Sequence, residues 1–156
     1  MFTLELPQPV SELVAGTIFH SIAPNGTSLL YMRAKLRENA YAVSLGSPGI
    51  GDFSAFAGEL IDLDDHPNLL GVCVPNATIN YDPALMTGQS GQRILDRSDW
   101  CVANREGVWL RAGNYWLDTG SGAISGDRPA SPWVSVNLAA VRINGGETLL
   151  ALSPDA

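Results

Sequence analysis

The sequence predicts an all-β, single-domain protein: a sandwich, jelly roll or barrel of short antiparallel strands with an extended N-terminal arm. Three observations predict it. Of 156 residues, 16 are glycine and 10 are proline, a density that favours many turns over long helices. Period-two alternation of apolar and polar residues recurs along the chain, as in half-buried strands. Turn signals fall roughly every eight to twelve residues and mark out roughly nine to eleven strands, the spacing of a sandwich or barrel. The length suits one domain, and no repeat divides the chain. Residues 1–10 are therefore read as the arm and 11–156 as one β domain.

In the arm, Phe2, Leu4 and Leu6 alternate, and Pro7 and Pro9 hold the backbone extended. Residues 11–22 are ambiguous; Ser11–Ala15 could make one helical turn, stopped by Gly16. Pro24-Asn25-Gly26 is a turn. Over 29–37, Leu30, Met32, Ala34 and Leu36 face one way and Tyr31, Arg33, Lys35 and Arg37 the other. Leu29, Met32 and Leu36 would also fit a helix, but Tyr41, Val43 and Leu45 continue the period of two beyond Glu38-Asn39, so a strand is expected here. Strands follow within 55–63 and 69–74. Residues 75–91 are weakly patterned, with room for a short helix near Ala84–Met86. Trp100–Ala103 and Val108–Arg111 flank the turn Asn104-Arg105-Glu106-Gly107. Tyr115–Leu117 and Ala123-Ile124 flank a second turn, Asp118 to Gly122. One long strand is expected over 133–143, with a bulge at Ala139-Ala140, and a last strand over 148–152.

Charged residues make up 16% of the chain, against roughly 25% in an ordinary soluble domain. A hydrophobic fraction of 46% excludes a disordered chain. Of the nine basic residues only Lys35 is a lysine, and the formal charge of −7 argues against a general nucleic-acid partner. There is no signal-peptide pattern and no apolar run of membrane-helix length, so neither export by a cleaved signal nor a membrane partner is expected. A surface so poor in charge suits a chain that another protein covers.

The chemistry-bearing patterns are few. Asp118-Thr119-Gly120-Ser121 resembles the Asp-Thr-Gly-Ser motif of aspartic proteases, where two carboxylates share a proton. No second copy supplies the other carboxylate, so such an enzyme would have to be a dimer using Asp118 from each chain. The plainer reading is a hairpin turn. Asp62, Asp64, Asp65 and His66 cluster without calcium-loop spacing. Gly46–Gly51 lacks the lysine of a phosphate loop. His20 and His66 lie far apart in sequence, Cys73 and Cys101 sit in apolar runs, and no zinc spacing occurs. No catalytic, cofactor or metal residue is therefore assigned, and no cofactor is expected. Interface candidates are clearer. Trp109 is out of phase with Val108 and Leu110, which turns it outward beside Arg111, and outward Trp–Arg pairs anchor interfaces. The face Tyr31, Arg33, Lys35 and Arg37 forms a docking strip, and Phe2, Leu4 and Leu6 form an apolar edge on the arm.

Residues 58–126 add a resemblance. Gly58–Leu63 is followed by Leu70-Gly71-Val72-Cys73-Val74, then by Trp100–Leu110 around Asn104–Gly107, then by Tyr115–Ile124 around Asp118–Gly122. This order of blocks resembles the small β-rich decoration, or cement, proteins of tailed-bacteriophage capsids. The departure is Gly113-Asn114 where that family carries Gly-Asp. The resemblance implies a non-enzymatic structural protein on the outer surface of a virion, made in the host cytoplasm. It would bridge subunits of a major capsid protein, as a homotrimer or alternatively a dimer. Two alternatives stand beside it: a β-sandwich binding module of a virion tail or carbohydrate-binding type, and the dimeric protease.

Overall fold

In a computed structural model, the described residues are 6–22, 28–46, 54–55, 58–81, 86–89, 100–130, 132–136, 139–143 and 146–153. They form strands β1 (Gln8–Pro9), β2 (Ile18–Ile22), β3 (Ser28–Leu36), β4 (Asn39–Gly46), β5 (Ser54–Ala55), β6 (Leu60–Asp62), β7 (Leu70–Cys73) and β8 (Ala77–Tyr81). The second half adds β9 (Met86–Gln89), β10 (Cys101–Asn104), β11 (Gly107–Ala112), β12 (Tyr115–Asp118), β13 (Ile124–Ser125), β14 (Trp133–Val136), β15 (Ala139–Ile143) and β16 (Glu147–Ser153). A 3-10 turn at Val10–Glu12 separates β1 from β2. The all-β class read from glycine, proline and alternation is the observed one. The sixteen strands exceed the number expected because several are only two or three residues long.

Three sheets share the strands. The first runs β1-β7-β2-β3-β4-β6, the second β13-β12-β11-β10-β14-β9, and the third β5-β16-β15-β8. Pairing is antiparallel apart from β16 with β5 and an isolated parallel bridge, Lys35 to Ala123. Alternation explains the packing. Leu30, Met32 and Ala34 of β3 and Val43 and Leu45 of β4 point to one side of the first sheet. There they meet Leu110 and Leu117 of the second sheet and Val141, Leu150 and Leu152 of the third in one buried core. All three sheets therefore close on the same apolar interior, which is the main source of stability in such a domain.

Two expectations are corrected. Residues 133–143 are not one bulged strand. Trp133–Val136 pairs with β10 in the second sheet, while Ala139–Ile143 pairs with β16 and β8 in the third. The phase slip read as a bulge reflects this change of sheet, which lets Val136, Ala139 and Val141 all face the shared core. The segment at 84–86 is not a helix at Met86, which begins β9; its other two residues lie outside the described set. Of the arm, Met1–Glu5 also lie outside it. Gln8 and Pro9 pair with Gly71 and Leu70, and Val10 is fully buried, so residues 8–10 belong to the first sheet.

The first and second sheets are joined by a close backbone contact. Gly16, at φ +95°, donates its N–H to the Arg33 carbonyl at 2.7 Å, and Lys35 donates to the Gly122 carbonyl at 2.9 Å. Gly122 itself has φ +79°. A Cβ there would press on the Gly16 nitrogen, lie 2.7 Å from the Arg33 carbonyl oxygen and 2.8 Å from the Ala15 carbonyl carbon. Left-handed backbone and lack of space both demand glycine.

Gly122→Ala should destabilise the domain by about 2–4 kcal/mol in chemical denaturation, combining left-handed strain with overpacking. Gly120→Ala is the control: its Cβ would meet only the Asp118 carboxylate at an ordinary 3.4 Å, and the change should stay within about 0.5 kcal/mol. A second expectation concerns alkali. Cys101 is fully buried in the core, and desolvation pushes its thiol up from 9.0 to about 12. The folded state holds that proton more tightly than the unfolded chain. The thiol's contribution is complete below pH 9 and is lost as pH rises towards 12, at up to about 1.4 kcal/mol per pH unit. Unfolding curves at pH 8 and pH 10.5 should show the decline, and Cys101→Ala should reduce it.

Candidate functional site

The core-facing side of the first sheet extends past the core. Ile18 of β2 and Leu30 of β3 lie in the shared interior, so alternation puts His20, Ile22 and Ser28 on that same side. On β7, a Cβ at Gly71 would press on Phe19 and Val10, on the opposite side, which turns Leu70 and Val72 towards the side of Ile22. At this end Ile22 is 64% exposed and Leu70 52%. They line a groove of about 580 Å³, with Pro7 at its rim. Leu6, next to Pro7, is 69% exposed. Among the described residues the exposed large apolar side chains are Leu6, Val14, Ile22 and Leu70; two of the four, Ile22 and Leu70, line this groove. A shallower hollow of about 340 Å³ continues from Ile22 along Asp65–Leu69.

The groove is tied at its base. Ser21 Oγ donates to the Leu70 carbonyl at 2.5 Å, and His20 Nε2 shares a hydrogen bond with Ser28 Oγ. A histidine beside a serine is the start of a nucleophilic site. Among the described residues, however, no carboxylate lines this groove to orient the imidazole. The groove's mostly uncharged lining suits an apolar group.

The predicted docking strip does not form as a unit. Tyr31 points away from the shared core as expected, but that face is not solvent. Val10, Leu13 and Leu63 cover it, and Tyr31 is fully buried, stacked on Phe19 at 5.4 Å between ring centroids. Burial, and secondarily the charge of Glu59, raises its hydroxyl pKa above 10.0. Arg33 is half-buried and turns inward. Its Nε donates to the Val10 carbonyl at 3.3 Å, Nη2 to that of Ser11 at 3.4 Å, and Nη1 to that of Ala34. It latches the 3-10 turn to β3, and desolvation lowers its pKa from 12.5. Lys35 is exposed. Arg37 is also exposed but sits in the β3–β4 turn at φ +56°, so it leaves the line of the strand face. Phe2 and Leu4 lie outside the described residues, and Leu6 is exposed.

Trp109 does face away from the core, into a smaller cluster with Val102, Trp116 and Trp133. Its Nε1 donates to Asn104 Oδ1 at 3.2 Å. Arg111 lies 4.6 Å from the centre of the Trp116 ring, a cation–π contact. Trp116 and Trp133 are buried and pack with the partly buried Trp109. Asp118 caps its own turn: Oδ1 accepts the Gly120 N–H at 2.9 Å, and its carbonyl accepts that of Gly122 at 2.8 Å. Asp62 likewise accepts the Asp64 N–H at 3.0 Å. Among the described residues no three His, Cys, Asp or Glu side chains converge as metal ligands would.

Ile22, Leu70 and Val72 were not among the sequence-derived candidates. Each looks like a core residue on its strand; only the position of the strand end relative to the core exposes them. No protein-family model matches the chain, and no curated protein or solved structure matches it either.

Removing the Arg33 latch with Arg33→Met, which keeps an apolar stem, should cost about 2 kcal/mol of stability, the scale of charge-assisted hydrogen bonds to carbonyls. Hydrogen exchange should speed up at Val10 and Leu13, whose amides bond to Leu69 and Val10 carbonyls. An unchanged exchange rate there would refute the latch.

Proposed function

We propose that this chain is a non-enzymatic structural protein that decorates a bacteriophage capsid and ties neighbouring major capsid subunits together. The observation that carries the reading is the groove lined by Ile22 and Leu70, two of the four exposed large apolar side chains among the described residues. Apolar surface of this kind marks a place where another protein sits. Covering one such side chain contributes roughly 1.5–3 kcal/mol, and repetition over many sites on a shell multiplies weak attachments into a strong one.

The resemblance to cement proteins supports the same reading. Its two best-matched hairpins form β10–β11 and β12–β13, which lie side by side in the second sheet. The Asp-Thr-Gly-Ser stretch is a turn within one of them, stabilised by the Asp118 carboxylate and by Ser121 Oγ, which accepts the Ala123 N–H at 3.2 Å. A formal charge of −7 suits an outward-facing acidic skin.

The test is co-sedimentation with shells assembled from the capsid protein encoded beside this chain. Binding should be saturable, Asp118→Asn should leave it unchanged, and Leu70→Glu should weaken it at least about tenfold, the equivalent of about 1.4 kcal/mol. Failure of the native protein to bind such shells, or peptidase activity lost with Asp118→Asn, would overturn the proposal.

A further inference from the structure

The groove at Ile22 and Leu70 has a matching segment in the chain itself. We infer that the groove of one copy receives the N-terminal segment of a second copy, with Phe2 and Leu4 as the side chains that fill it. The inference rests on the preceding reading only in taking the groove as a surface covered by protein.

The groove offers side chains at alternate positions of two adjacent strands, Ile22 on β2 and Leu70 and Val72 on β7. Along a strand, such positions repeat at roughly 6.5–7 Å, and an extended segment with the same period presents two side chains to them at once. Phe2, Leu4 and Leu6 have that period and no charge on that face. Among the described residues no acidic or basic side chain other than His20 lines the groove, so an uncharged apolar ridge is what it can accept without burying an unpaired charge.

Direction decides between one chain and two. β1 runs antiparallel to β7 with Gln8 opposite Gly71 and Pro9 opposite Leu70. Going backward from Gln8, Pro7 and Leu6 therefore head alongside Val72 towards Cys73. The open end, formed by Ile22 and Leu70, lies the other way. Leu6, at 69% exposure, is not folded back over its own groove. Reaching Ile22 in the same chain would take a sharp reversal beside Pro7, whose φ is fixed and which has no N–H to pair. In a second copy no reversal is needed, and five extended residues span roughly 17 Å, enough to cross to a neighbour's groove.

Sedimentation velocity on the full chain at tens of micromolar should give an oligomer of the 16.6 kDa chain. Phe2→Ser with Leu4→Ser should shift it to monomer, and so should Leu70→Glu. Circular dichroism and the unfolding midpoint of the Phe2/Leu4 variant should match the native protein, which separates loss of association from misfolding. Leu4→Cys with Ile22→Cys, in a Cys73→Ser background, should form a disulfide between chains under mild oxidation. A monomeric native protein, an oligomer that survives the Phe2/Leu4 change, or a cross-link confined to one chain would each overturn the inference. Shell binding of the same variants separates the two ideas. A monomeric native protein that still binds shells removes only the exchange of segments; a Phe2/Leu4-dependent oligomer that binds no shell removes only the capsid reading.

Discussion

The architecture depends on one backbone contact. Where Gly16, Arg33 and Gly122 meet, the turn after β12 is pressed against β3 with no side chain between them. This contact fixes how far the second sheet stands from the first, and so the width of the interior that Met32, Leu110 and Leu117 must fill. Three sheets around one core leave little latitude: the packing density of an interior tolerates neither a gap nor an extra methyl group without cost. The Asp118 carboxylate acts in the same cause. By capping its turn it holds Gly122 in the left-handed conformation that brings the Gly122 carbonyl to the Lys35 amide. A stretch that resembles a catalytic motif thus has a mechanical task.

Much of the fold was legible because strands that see one core alternate cleanly. β3 and β4 follow their apolar phase through the whole hairpin, and the hairpins around Asn104–Gly107 and Asp118–Gly122 are marked by turn residues that satisfy their own amides. What was not legible depends on neighbours distant in sequence. Tyr31 alternates like a surface residue, yet Val10 and Leu63 roof it over. Arg33 looks like a cation awaiting a partner, yet carbonyls from twenty-odd residues upstream use its guanidinium. A run such as 133–143 gives no warning that it passes from one sheet to another, because both sheets want the same apolar side inward. The groove was hidden for the converse reason: Ile22 and Leu70 obey the core pattern on strands that outrun the core.

The scarcity of charge also takes on a structural meaning. Arg33 is spent on the 3-10 turn and Arg111 on the Trp116 face. Over the whole chain acidic residues outnumber basic ones sixteen to nine. A partner seated on the groove would be met by apolar shape more than by matching charge, and its attachment would be less sensitive to ionic strength than that of a charged interface.

The pairing of Gln8 with Gly71 has a kinetic consequence. A strand at the start of the chain finds its place only against residues more than sixty positions later, and β5 waits still longer for Leu152. Contacts this distant are slow to form because loop closure precedes their reward. As the chain emerges from the ribosome, β3 and β4 can zip at once, while the opening segment must wait for β7. Until then the apolar undersides of β2 and β3 lack their roof, and that interval is when the nascent chain is most exposed to aggregation.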